Sequence, residues 1–219
     1  MPLCLRTSFL GSAYYRLLQN SLLPLLQGMG LRPNQITLLG TAIASLVPLG
    51  FYMHPFVGLL LMVASGIADS LDGLMARQHS QASVFGAFLD STLDRLSDFF
   101  YLAGFWVLFW THPKKLLATV IVFCALLFTL LISYIKARAQ ALGGRCEVGF
   151  MERGARVVYL IVWGISIALF PHAMNILLWL GLWIYCALTL ATVIQRIFHV
   201  RSQVMAFSPS KRAQAGPES

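Results

Sequence analysis

Asp69, Asp72, Asp90 and Asp94 are the residues of this chain best suited to chemistry. They occur in one short run that reads D-S-L-D-G-L-M-A-R, then eight residues, then G-A-F-L-D-S-T-L-D. The chain carries 8 acidic residues, so half of them fall in this window. Burying four carboxylates in an apolar chain is costly unless their charge is compensated. Carboxylate oxygens are hard donors that suit Mg²⁺ or Mn²⁺. Two such ions and a phosphate-bearing substrate would compensate the charge and supply Lewis-acid chemistry. Asp69 and Asp72 are spaced i, i+3, and Asp90 and Asp94 i, i+4, so on helices each pair shares a face. The helices would be antiparallel neighbours joined by a turn around Arg77–Ala82, with the two pairs converging on two ions. Gly73, Ala76 and Gly86 remove side-chain bulk there, which lets helices and a ligand approach closely. Arg77 adds a guanidinium able to grip a phosphate bidentately.

Three other readings compete for these acids. Ion pairing with Arg77 and Arg95 would leave negative charge in excess, since four acids face two arginines. A proton or cation pathway is the second, because acids inside a membrane often mark transport routes. A purely structural membrane protein is the third, and it predicts that all four Asp→Asn changes are tolerated.

The elements that must hold these residues follow from composition. Of 219 residues, 58% are hydrophobic and 11% charged, and the mean hydropathy is +0.74. Soluble domains average about 25% charged residues, so this is an integral membrane protein. A crossing takes roughly 20 apolar residues, and the length then allows about six helices with short loops and no separate soluble domain. The expected fold is all-α, six transmembrane helices preceded by an amphipathic interfacial helix. In that first segment Leu10, Tyr14, Leu17, Leu18, Leu22 and Leu25 recur at helical spacing, with Arg16 and Gln19 between them. Polar breaks such as Arg6 and Arg16 exclude a compact signal-peptide core, so no cleavable leader is expected. The chain divides into an interfacial segment over 1–33, a six-helix domain over 34–200 and an irregular polar tail over 201–219.

Crossings are expected at 34–52, 56–78, 84–110, 115–141, 151–170 and 174–198. Pro33 suits the first helical turn, with Asn34 or Thr37 as its cap. His54-Pro55, Thr111-His112-Pro113 and Pro171-His172 punctuate one side. Nearly all Lys and Arg fall on the other, and only Lys114 and Lys115 lie on the His-Pro side. The positive-inside rule puts both termini and the aspartate motif in the cytoplasm. The net charge of +8 therefore fits topology and anionic phosphate binding rather than nucleic acid. The 4 cysteines form no C-x-x-C pair, which argues against a zinc or redox site.

The motif resembles the signature of the CDP-alcohol phosphotransferase family, D-x-x-D-G-x-x-A-R, eight residues, G-x-x-x-D-x-x-x-D. Asp69, Asp72, Gly73, Ala76, Arg77, Gly86, Asp90 and Asp94 fill all eight specified positions. The resemblance implies an enzyme that displaces CMP from a CDP-linked lipid, usually CDP-diacylglycerol or an ether analogue, with an alcohol. It implies a site of two Mg²⁺ or Mn²⁺ ions: Asp69, Asp72 and Asp90 hold one, Asp90 and Asp94 help hold the second, and Asp94 is also the general base. It places Gly73, Ala76 and Arg77, with Asn34 and Thr37, at the CDP site. It also suggests a homodimer in a bacterial or archaeal inner membrane.

The acceptor is read from S-Y-I-K-A-R-A-Q-A-L-G at the end of the fourth crossing and M-E-R-G-A-R at the start of the fifth. Lys136, Arg138, Arg153 and Arg156, with Ser133 and Arg196, would suit a phosphorylated alcohol. Each cation could equally be a positive-inside anchor, and Ser133 could simply bond its own helix. The pattern Y-x-x-A-R-A followed by E-R resembles the branch that makes phosphatidylinositol phosphate or its archaeal ether counterpart. Glycerol phosphate comes second, because the D-P-x-A-D-K and G-K-x-K-T stretches of that branch are lacking. Asp98, one turn beyond Asp94, is left between a pair with Arg95 and a supporting hydrogen-bonding role.

Overall fold

The computed structural model describes the backbone of residues 9–78 and 83–214, and the side chains of 11–76 and 83–203. Among the described residues all regular structure is helical: α1 Phe9–Gly28, α2 Pro33–Ser45, α3 Val47–Met53, α4 Pro55–Gln78, α5 Val84–Val107, α6 Lys115–Ala141, α7 Arg153–Leu169, a 3-10 turn Pro171–Ala173 and α8 Met174–Gln214.

Helix α1 ends where Gly30 takes φ 70°. Leu31 N–H then donates to Leu26 O at 3.3 Å and Gly30 N–H to Gln27 O at 3.0 Å. This paired pattern satisfies the last carbonyls and needs a left-handed residue at the Gly30 position. The expected apolar stripe is divided. Leu18 and, beside it, Leu23 are buried with Ile36, Ala68, Leu71 and Met75, whereas Leu17 and Leu25 are 65% and 64% exposed.

The first expected crossing is two helices. Pro48 has no N–H to return to Ala44, so the ladder breaks at Leu46, which caps both α2 and α3. Its start also differs from expectation. Arg32 is the N-cap residue, and its N–H donates to Gln35 Oε1 at 2.9 Å. Asn34 and Thr37 therefore lie inside α2 rather than capping it, and the Thr37 hydroxyl donates back to Pro33 O at 3.1 Å. The His54-Pro55 turn folds α4 onto α3 at very close range. A Cβ on Gly50 would stand 2.9 Å from Gly58 Cα.

Helix α4 does not pair with α5 as a simple antiparallel hairpin. Among the described residues, α2 and α3 pack against both and carry most of the packing between them. Small residues make this possible: a Cβ on Gly40 of α2 would lie 3.0 Å from Ala68 Cβ of α4. Ser65 Oγ donates to Gly40 O at 2.7 Å, and Tyr101 of α5 donates to Ser65 Oγ at 2.9 Å. One apolar core joins α2 through α8, with Phe105 and Trp163 stacked at 4.0 Å across α5 and α7.

Among the described residues, four helical segments are long and apolar enough to cross a membrane: Pro33–Met53, Pro55–Ala76, Lys115–Ala141 and Pro171–Gln203. The six expected crossings thus include two that fall short by this measure. Helix α5 carries Asp90, Asp94, Arg95 and Asp98, and α7 has only 17 residues. Helix α8 keeps helical backbone to Gln214, past the start of the polar tail, and residues 215–219 lie outside the described residues.

Candidate active site

The carboxylates meet where α4 ends and α5 begins. Each of Asp69, Asp72 and Asp90 offers one oxygen, and these atoms lie within 4.8 Å of one another. Asp72 is 5% exposed, and its Oδ2 is buried without a hydrogen-bond partner. Three hard oxygen donors this close, with a buried and unpartnered carboxylate oxygen on one of the three residues, fit a divalent cation. Asp94 stands outside this group. Arg153, the first residue of α7, joins the two sets: its Nη1 donates to Asp69 Oδ2 at 2.8 Å and its Nη2 lies 2.9 Å from Asp94 Oδ1. The competing reading, ion pairs of these acids with Arg95, is not seen among the described residues. Arg95 instead donates to the Ser91 carbonyl and, at 2.8 Å, to Ser91 Oγ.

The residues expected near the nucleotide divide into three places. Thr37 lines a small polar cavity with Asp69 and Asp94. Asn34 faces the start of α5, where a Cβ on Gly86 would lie 3.1 Å from Asn34 Oδ1. Gly73 and Ala76 are half-buried on the last turns of α4. The Arg77 side chain and the 79–82 turn lie outside the described residues.

Next to Asp94 opens a cavity of about 380 Å³ between α5, α6, α7 and α8. Ser133, Lys136, Arg153, Arg156 and Arg196 all line it. Arg138 does not, and its side chain is exposed. Two of the arginines are held rigidly. Arg156 donates to Asp98 Oδ2 at 2.7 Å and to Met151 O at 3.0 Å. Arg196 donates to Val148 O at 2.8 Å and Ile132 O at 2.6 Å. Asp98 thus pairs with Arg156, not Arg95, in a contact where both side chains are almost fully buried. Sequence reasoning did not find the cross-helix pairs of Asp94 with Arg153 and Asp98 with Arg156. Only part of the signal was present: 94 and 98 are spaced i, i+4 and 153 and 156 i, i+3, so each pair shares a face, but the spacing does not say which helix that face meets. Arg95, Gln140 and Glu152 also line the cavity and were not singled out for it.

The arrangement is a carboxylate cluster fit for a cation beside a cationic cavity fit for phosphate, at one end of a membrane bundle. The family model for CDP-alcohol phosphatidyltransferase matches residues 31–198. The chain belongs to this family, whose members are transferases of phospholipid synthesis. Among its relatives, the phosphatidylinositol phosphate synthase of Mycolicibacterium smegmatis is 36% identical over 190 residues, covering 82% of each chain. The archaetidylinositol phosphate synthase of Pyrococcus horikoshii is 32% identical over 182 residues, 82% of this chain and 88% of the relative. The crystal structure of Mycobacterium tuberculosis phosphatidylinositol phosphate synthase in complex with manganese and citrate aligns with a TM-score of 0.69 at 31% identity, covering 82% of this chain and 87% of that one. The same enzyme with CDP-DAG bound aligns at 0.67 and 32% identity, covering 82% and 91%.

Proposed function

We propose that this protein transfers a phosphatidyl group from CDP-diacylglycerol, or an ether analogue, to an inositol phosphate and releases CMP. The observation that carries this reading is the junction of the Asp69, Asp72 and Asp90 oxygens with a cavity lined by Lys136, Arg153, Arg156 and Arg196. The names of the relatives support the choice of acceptor.

Asp69, Asp72 and Asp90 would hold one Mg²⁺ or Mn²⁺, and Asp90 and Asp94 a second. Such ions neutralise a pyrophosphate and stabilise the CMP leaving group. Asp94, between the cluster and the cavity, accepts the proton of the attacking acceptor hydroxyl. Gly73, Ala76 and Arg77, with Asn34 and Thr37, form the CDP side. Ser133, Lys136, Arg153, Arg156 and Arg196 receive the acceptor phosphate; exposed Arg138 serves as a charge anchor. Helices α5 and α7 complete six crossings, their polar ends facing this site, and α1 lies in the interface with Leu17 and Leu25 in lipid. The protein sits in an inner membrane as a homodimer, with the site and both termini on the cytoplasmic side.

The test is CMP release by purified protein with CDP-diacylglycerol and Mg²⁺, comparing inositol 1-phosphate, glycerol 3-phosphate, serine and inositol, with a chelator control. Release with inositol 1-phosphate, abolished by chelation, is expected. Release with glycerol 3-phosphate alone would keep the chemistry and overturn the acceptor. No release with any acceptor, together with ion flux in proteoliposomes, would favour the transport reading.

A further inference from the structure

Four arginines line the cavity, and three are committed to fixed neighbours. Arg95 is held by Ser91, Arg156 by Asp98 and the Met151 carbonyl, and Arg196 by the carbonyls of Val148 and Ile132. Arg153 differs. Its guanidinium pairs with the carboxylates of Asp69 and Asp94. Asp69 also belongs to the three-oxygen cluster that fits a divalent cation. The Arg153 side chain is 27% exposed, against 2% for Arg156 and Arg196. One guanidinium therefore borders both halves of the site, held by carboxylates rather than by backbone carbonyls or its own helix.

We infer that Arg153 is a shared counter-ion that couples divalent-cation binding at the aspartates to anion binding in the cavity; this rests on the metal-site reading above. A cation at Asp69 neutralises the charge that holds Arg153 and releases its guanidinium to the acceptor phosphate. A phosphate in the cavity draws Arg153 away and leaves Asp69 and Asp94 more negative, which favours the cation. The coupling is reciprocal by linkage. Arg153 is accordingly a positioning residue as well as a phosphate ligand: it links the two binding events without touching the scissile bond.

The experiment is an electron paramagnetic resonance titration of Mn²⁺ on the purified full chain, with and without saturating inositol 1-phosphate, and with inositol as the uncharged control. It needs no turnover and no CDP-lipid. In the wild type, inositol 1-phosphate should tighten Mn²⁺ binding by about 5-fold or more, the lower end of typical coupling, and inositol should not. Arg153→Gln should bind Mn²⁺ more tightly than wild type without acceptor, and the tightening should fall below about 2-fold. Arg153→Lys, which keeps the charge, should retain part of it. Wild-type Mn²⁺ binding that ignores inositol 1-phosphate overturns the inference, a result that depends on no variant folding. Equal tightening in Arg153→Gln also overturns it, because the phosphate would then act on the ion directly. Failure of the wild type to bind Mn²⁺ at all would overturn the metal-site reading and this inference together.

Discussion

Asp94 and Asp98 lie one helical turn apart on α5, yet their surroundings assign them different work. Asp94 faces Arg153 at the rim of the cavity with its side chain 17% exposed, whereas Asp98 is locked to Arg156 at 2.7 Å in the interior. Asp94→Asn should lower CMP release by about 10²- to 10⁴-fold, the usual contribution of a positioned general base. Single-turnover kinetics would check it, and near-normal turnover would remove Asp94 from the chemistry. Asp98→Asn should instead raise the acceptor KM by about 10- to 100-fold, the worth of a hydrogen bond to a charged group. Its kcat should stay within a few-fold, and Asp98→Glu should recover part of the loss. A fall in kcat with unchanged KM would refute this positioning role. At this scale the sequence was informative for residues bound to a rigid spacing. The aspartate pairs and the cations of the two segments were legible because helical periodicity fixes their faces. The partner choice of Arg153 and Asp98 was not, because a pattern within one helix carries no record of which neighbouring helix it meets.

The helices show the same division between local and tertiary information. Helices α4 through α7 follow the apolar runs closely, with His-Pro and Thr-His-Pro sequences at the turns, whereas α8 continues beyond its apolar run to Gln214. The break between α2 and α3 was readable in principle from Pro48, since a proline inside a helix removes a ladder bond. The insertion of α2 against both motif helices was not readable. It depends on how closely Gly40 allows α2 to approach Ala68, and that is a property of two surfaces at once. The α3–α4 turn offers a direct test of such close packing. A Cβ on Gly58 would lie 2.4 Å from the Phe51 ring, and one on Gly50 2.9 Å from the Gly58 backbone. Gly50→Val should therefore destabilise the protein by about 1–3 kcal/mol, as overpacking commonly does. Thermal unfolding in detergent would show it. An unchanged Tm would mean that the two helices separate freely.

As a whole, the molecule gathers its aspartate cluster and the cationic cavity at one end of an apolar bundle. Six crossings would return both ends of the chain to that side, and this can be tested by cysteine labelling in intact cells. Lys114→Cys should react with an impermeant maleimide added outside, and Gln203→Cys only after the membrane is opened. The opposite pattern would invert the orientation proposed here. Another consequence lies in the segment between α6 and α7, which is irregular yet bound to α8 at successive points. Arg145 N–H and O pair with the Gln203 side chain at 3.1 and 2.8 Å, Val148 O accepts from Arg196, and Met151 N–H reaches Thr192 Oγ1 at 3.3 Å. Ordinary surface connections exchange their amide hydrogens for deuterium quickly, because they open locally at little cost. The amides of Arg145 and Met151 should exchange slowly, at the pace of α8 itself, so that this connection, which leads through Glu152 to the cavity, opens only when the helix behind it does.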